Sequence, residues 1–203
     1  MGALARGIGL VAIMLAACFA EDAAQGADVL QDGGFELPSV RGGGYATFAS
    51  GEAISGWQVV GPGRVAVVDG GFVRAGIQFN PGAGRQWLDL AGIDSRTASG
   101  VQQVVPTTPG RSYRLQFKVG NVVNPGAGCG TRSTVHVQVN GARVLSATNS
   151  DGNSGALSWK DFRLVIVATT TRTTIAFLNG DPADDGSNGL DAVSLTPVTP
   201  DED

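Results

Sequence analysis

Alternation of apolar and polar side chains with a period of two, broken by turn residues, is the feature that most narrows what this chain can become. In Ser112 to Val119, Tyr113, Leu115, Phe117 and Val119 alternate with Ser112, Arg114, Gln116 and Lys118. That spacing puts four apolar side chains on one face of a strand and the polar ones on the other. Val135, Val137 and Val139 alternate in the same way with Thr134, His136 and Gln138. Asn140-Gly141 follows, a hairpin signal because both central residues of a type I′ turn need positive φ, and Arg143 to Ala147 returns as the partner strand. Phe162, Leu164 and Ile166 repeat the pattern, as do Ile175 and Phe177. Further strand candidates are Trp57 to Val60, Arg64 to Val68, Gln86 to Leu90, Val101 to Val105 and Leu190 to Leu195. About nine or ten short strands at turn-punctuated intervals predict an all-β fold, an antiparallel β-sandwich. The 31 Gly and 9 Pro fit many turns between short strands and stay below the disordered range.

The first residues follow another pattern. Met1 to Gly7 carries one cation, Arg6, and Ile8 to Ala20 is uncharged and almost wholly apolar, with Glu21 and Asp22 directly after it. A basic start and a short apolar run mark a secretory signal, too short to span a bilayer core. Leu15-Ala16-Ala17-Cys18 resembles the lipobox of bacterial lipoproteins, which implies cleavage before Cys18, acylation of that residue and a lipid anchor in a membrane. Cleavage after Ala20 is the alternative, with a secreted product. A Cys18→Ala variant that stays membrane-bound without detergent contradicts the anchor.

The expected organisation is a signal over 1–17, a polar tether over 18–28, one sandwich domain over 29–196 and an acidic tail over 197–203. The chain has 203 residues and a net charge of −4, one unit more negative once Arg6 is removed with the signal. Such a surface does not recruit nucleic acid or acidic lipid by charge. With Cys18 taken up by the lipid anchor, Cys129 is left alone and cannot staple the domain internally; it is expected to be buried.

Six phrases line up in order with one family. Asp32-Gly33-Gly34-Phe35-Glu36-Leu37-Pro38 is similar to the opening segment of DUF642 proteins, although Asp32 stands where that family commonly has Asn. Gly43-Gly44-Tyr45 and Gly56-Trp57 resemble the next two landmarks. Gln86-Trp87-Leu88-Asp89-Leu90, Thr108-Pro109-Gly110 with Tyr113, Leu115 and Phe117, and Gly189-Leu190-Asp191-Ala192-Val193-Ser194-Leu195 resemble the rest. The resemblance runs from Leu30 to Leu195. It implies a galactose-binding-domain-like jelly roll akin to carbohydrate-binding modules. Plant members carry two such units and associate with cell-wall polysaccharide, whereas this chain has one unit and few cysteines.

Catalysis near neutral pH needs a group that titrates or attacks there. The single histidine, His136, falls on the polar face of its strand, and no Gly-x-Ser-x-Gly elbow occurs. One His and one further Cys fall short of a zinc set. Asp89, Asp161, Asp181, Asp184, Asp185, Asp191 and Glu36 are available as paired carboxylates, but nothing in the sequence selects a facing pair. Asp191 shares parity with Val193 and Leu195, so it is expected to point inward, where a carboxylate must be paired, hydrogen-bonded or metal-bound. By resemblance to related modules, Glu36 and Asp191 are expected to ligate a structural Ca²⁺; backbone N–H groups or an arginine are the alternative partners of Asp191. The polar segment Asn179 to Gly189 lacks the glutamate and helices of an EF-hand and is read as a solvated loop.

Sugars are bound by aromatic faces together with amide and carboxylate hydrogen bonds. Tyr45, in the expected loop Ser39 to Ser55, and Trp87 are the candidate platforms; Asn121 and Asn188 are the candidate amides. The expected function is non-catalytic binding of a polysaccharide or other glycan at the cell envelope or outside the cell. The alternatives are an adhesive envelope protein with protein partners and a small glycoside hydrolase. The oligomeric state is left open.

Overall fold

All ten strands expected from the alternation form, and four short ones join them. The computed structural model describes residues 26–92, 97–152, 154–181, 183 and 186–198. Cys18, the signal, most of the tether, Asp184, Asp185 and the end of the tail lie outside the described residues. In chain order the strands are β1 (Tyr45–Ala49), β2 (Ala53–Ile54), β3 (Trp57–Val60), β4 (Arg64–Asp69), β5 (Val73–Arg74), β6 (Ile77–Gln78) and β7 (Gln86–Asp89). They continue as β8 (Gly100–Pro106), β9 (Ser112–Asn121), β10 (Ser133–Val139), β11 (Ala142–Asn149), β12 (Ser158–Val167), β13 (Arg172–Asn179) and β14 (Gly189–Pro197).

Two six-stranded antiparallel sheets face each other, in the orders β1-β4-β7-β14-β9-β12 and β11-β10-β13-β8-β3-β2. From β7 onward the chain passes back and forth between them, β7 to β8 to β9 to β10, then β12 to β13 to β14. This alternation is the jelly-roll arrangement. The Asn140-Gly141 turn adopts the positive φ values, 50° and 82°, that its sequence demanded.

The main core lies between the sheets. Val65, Val67, Leu88, Leu115, Phe117, Val119 and Leu195 from the first sheet meet Trp57, Val59, Val101, Val135, Val137, Ile175 and Phe177 from the second, all buried. Those from β9, β10 and β13 are the residues whose alternation pointed inward.

On β4 and β7 parity does not separate core from solvent, because both faces are covered. The opposite face carries Ala66, Val68 and Trp87. The segment between β4 and β7, with its β5–β6 hairpin, folds over them and adds Ile77 and Phe79, while Val122, Cys129 and Leu157 close the side. A second, smaller core results. The expected loop from Ser39 to Ser55 is also corrected: Tyr45 to Ala49 pair with β4 from Tyr45↔Val68 to Ala49↔Arg64, so Tyr45 stands on an edge strand. At the start of the domain Asp28, assigned to the tether, accepts the N–H groups of Leu30 at 3.0 Å and Leu195 at 2.9 Å, tying this segment to the last strand.

Candidate functional site

The opening phrase of the domain is built around the bulge in its closing strand. The β14–β9 register shifts between Asp191 and Ser194, and Ala192 there has φ of 50°. Val193 donates its N–H to the Gly33 carbonyl at 2.9 Å. A Cβ on Gly33 would stand 1.7 Å from the Val193 carbonyl oxygen, so only glycine permits this approach. Asp32 accepts the N–H groups of Glu36 and Leu37 at 2.8 and 3.1 Å, closing the turn, and Phe35 drops into the core against Trp57.

This turn aims Glu36 at the segment ahead of β7, where Glu36 Oε1 accepts the N–H groups of Arg85 at 2.7 Å and Gln86 at 3.2 Å. Gly84, at φ of 61°, leaves the room: its Cβ would stand 2.1 Å from that oxygen. Asp191 reaches the same segment from β14. Its Oδ2 accepts the N–H groups of Gly82 and Ala83, both at 2.8 Å, and its Oδ1 that of Ala192 at 2.6 Å. The inward orientation expected for Asp191 is realised, since it is wholly buried. Burial pushes its carboxyl up to about 7, with the Glu36 charge adding to the rise, while the three backbone N–H groups oppose it.

Glu36 and Asp191 are therefore brought together from opposite ends of the domain, and backbone N–H groups serve both. These N–H groups are the alternative partners expected for Asp191. Gln86 is a residue that sequence reasoning missed. It is buried, donates Nε2–H to the carbonyls of Phe35 and Pro38 at 2.7 and 3.1 Å, and accepts from Val40. Its polar side chain within a strand was the available signal.

A series of rings leads from the surface into the second core. Tyr45, 45% exposed, meets Phe72 edge-on at 5.5 Å between centroids. Phe72 meets Phe79 at 5.4 Å, Phe79 stacks on Trp87 at 6.1 Å, and Trp87 meets Trp159 edge-on at 5.9 Å. Between these rings and the loops around Cys129 and Ser187 lies a narrow cleft of ≈ 20 Å³, room for about one water molecule. Phe72, Ile77, Phe79, Trp87 and Cys129 give it an apolar lining, and Arg74, Asp89 and Ser187 add polar groups. Trp87 is thus corrected from an exposed platform to a buried wall. It is 1% exposed, and its Nε1–H is spent on the Phe79 carbonyl at 3.0 Å.

Asn121 and Asn188 are corrected as well. Both are wholly buried, so neither amide reaches a polysaccharide on the surface. Asn121 accepts from Ser133 Oγ at 3.1 Å. Asn188 donates Nδ2–H to the Thr134 carbonyl at 2.6 Å and to Asn179 Oδ1 at 3.0 Å. Asn121 is the last residue of β9 and Asn188 directly precedes β14, and both side chains turn inward.

His136 lies on the polar face of β10, as parity required. A guanidinium only donates, so Arg143, 3.2 Å from Nε2, fixes that nitrogen as the acceptor and leaves Nδ1–H to donate to Ser146 Oγ at 3.1 Å. In this tautomer His136 does not act as a base toward Ser146. Burial and the Arg143 charge lower its pKa further, against the pull of Asp181. Cys129 is buried and forms no disulfide among the described residues.

The family model described as "Protein of unknown function (DUF642)" matches residues 28–196 of the sequence. No curated protein matches the chain. Among solved structures, TmCBM61 in complex with β-1,4-galactotriose is similar at 20% identity and a TM-score of 0.49, covering 85% of this chain and 99% of that one. The CBM22-1 xylan-binding domain of Paenibacillus barcinonensis Xyn10C is similar at 13% identity and a TM-score of 0.48, covering 86% and 97%. A family 35 carbohydrate-binding module from Clostridium thermocellum is similar at 16% identity and a TM-score of 0.41, covering 74% and 90%.

Proposed function

This chain belongs to the DUF642 family, and from the cleft beside Tyr45 we propose that it is a non-catalytic domain that binds carbohydrate. The observation that carries the reading is the exposed ring of Tyr45, backed by Phe72, Phe79 and Trp87, beside a narrow cleft with Arg74, Asp89 and Ser187 in its lining. A sugar ring presents an apolar C–H face and a rim of hydroxyls. Aromatic walls with a few polar groups complement both. In this reading the domain works at the cell envelope, tied there through Cys18, and holds glycan without altering it. A calcium ion between Glu36 and Asp191 belongs to the same proposal, as a structural clamp on the segment before β7.

Retention on insoluble pectin, cellulose and peptidoglycan, followed by a broad glycan screen with and without calcium, tests the reading. Binding to at least one glycan is expected, with a change in tryptophan fluorescence because Trp87 walls the cleft. Tyr45→Ala should weaken that binding about tenfold, the loss of one aromatic contact of about 1.4 kcal/mol. Its fold should survive, since Tyr45 is half-exposed on an edge strand. A domain that binds none of these glycans with or without calcium refutes the proposal. A protein-binding role is the second reading. It is favoured by β12, an edge strand that exposes Val165 and Val167 at 51% and 59%; a chain that self-associates and retains no glycan would support it.

A further inference from the structure

A second hollow lies on the solvent side of the first sheet and shares no lining residue with the cleft beside Tyr45. It is a groove of ≈ 490 Å³ across β14, β9 and β12, lined by Ala192, Ser194, Gln116, Lys118, Asp161 and Arg163. That volume falls in the range of sites that hold a ligand, about 300–1,000 Å³.

The register of the three strands sets the floor. Ser194 on β14 pairs with Gln116 on β9, and Gln116 pairs with Arg163 on β12. Residues directly opposite on neighbouring strands project to the same face, with Cβ atoms about 4.5–5.5 Å apart. A hydroxyl, an amide and a guanidinium therefore form one row across the sheet. The next row sets Lys118 opposite Asp161, and their side chains meet at 2.6 Å. The bulge in β14 falls between the rows, and there Ala192 faces the groove. The segment before β7 abuts one end: a Cβ on Gly82 would stand 3.0 Å from Lys118 Cδ and 2.8 Å from Trp159 Cδ2.

The charges in the groove do not cancel. Lys118 and Asp161 neutralise each other, which leaves Arg163 in surplus. Arg163 is exposed and forms no ion pair among the described residues. One row further on, Arg114 pairs with Val165 and adds a second guanidinium to the same face. In a chain of net charge −4 this is a locally positive hollow. No ring is offered beside it, because Phe117 and Phe162 stack on each other at 5.6 Å on the core side of the same strands. A ligand here is held by charge and hydrogen bonds rather than by stacking. A guanidinium grips a carboxylate through two parallel N–H···O bonds. Gln116 and Ser194 both donate and accept, which suits hydroxyl groups. Neighbouring strands lie about 4.7–4.9 Å apart, close to the length of one pyranose residue, so a sugar chain laid across the sheet meets these groups in turn. We propose that the groove binds an acidic glycan, a polyuronate chain, with a carboxylate on Arg163 and hydroxyls on Gln116 and Ser194. This rests on the reading of the domain as carbohydrate-binding and gives it a second surface with its own ligand class.

The test is calorimetric titration of an alginate oligosaccharide into the purified chain and into the variants Arg163→Gln and Arg143→Gln, in EDTA so that no metal ion bridges carboxylates. Both arginines are exposed, and circular dichroism checks that each variant stays folded. The wild-type chain should bind alginate, and the same oligosaccharide with its carboxylates reduced to alcohols should bind at least tenfold more weakly. Arg163→Gln should weaken alginate binding at least tenfold. Arg143→Gln removes the same charge from β11, in the other sheet, and should bind as the wild type does. The proposal is overturned if the wild-type chain does not bind alginate, if the reduced oligosaccharide binds equally well, if Arg163→Gln binds as the wild type does, or if Arg143→Gln loses as much as Arg163→Gln. Polyglutamate bound as tightly as alginate also overturns it, since the groove would then hold an acidic peptide. A chain that is retained on cellulose but does not bind alginate overturns this proposal alone and leaves the carbohydrate reading standing.

Discussion

Asp191 and Asp181 stand on either side of the turn into the last strand, and both are buried, but the atoms around them differ. Asp191 is met by three backbone N–H groups from two segments of the chain. Asp181 has one oxygen near an exposed guanidinium and the other against no donor. The first carboxylate is part of how the chain closes on itself, because it ties Gly82 and Ala83, in the segment before β7, to the last strand. The second has a single long contact, to Arg132, for one of its oxygens. Burial alone therefore says little about an acid's role; the count of donors around each oxygen separates the two.

The largest expected effect tests that separation directly. In EDTA, Asp191→Ala strips the acceptor from three N–H groups and should lower unfolding stability by about 3–5 kcal/mol in urea titrations. Asp181→Ala removes only the long contact to Arg132 and an unpaired oxygen, and should change stability by about 1 kcal/mol or less. Equal losses in the two variants would break the comparison.

The next effect is a pH dependence, and its sign follows from the raised carboxyl of Asp191. With a folded-state value of about 7 against an ordinary 3.8, the native state keeps a proton that the unfolded chain has already released. Stability should fall as pH rises from about 4 to about 7 and then level off, by up to about 4 kcal/mol. A calcium ion seated between Glu36 and Asp191 would hold the carboxylate charged and flatten that slope. Chemical denaturation across this range, with calcium and with EDTA, measures both. A slope that calcium leaves unchanged means that the backbone N–H groups act alone, which would sharpen the contrast with Asp181.

The legibility of these two sites in the sequence differs as their chemistry does. Period two placed ten strands and put Asp191 inward, because one residue per step decides which side of a sheet a side chain takes. The same rule could not reveal that β4 and β7 are covered on both faces. That depends on the segment between them folding back, a tertiary contact with no local period, and so Trp87 was assigned a surface role. Glu36 was legible only through the opening phrase that carries it. Asn121 and Asn188 were read as loop amides reaching solvent, whereas they turn inward to serve backbone carbonyls at strand ends. Asn188 Oδ1 accepts no hydrogen bond, a consequence of that turn: the amide's donors are consumed in the interior, and its acceptor is left over. Nothing in the loop's composition distinguishes this from the solvated loop that its polar residues suggest.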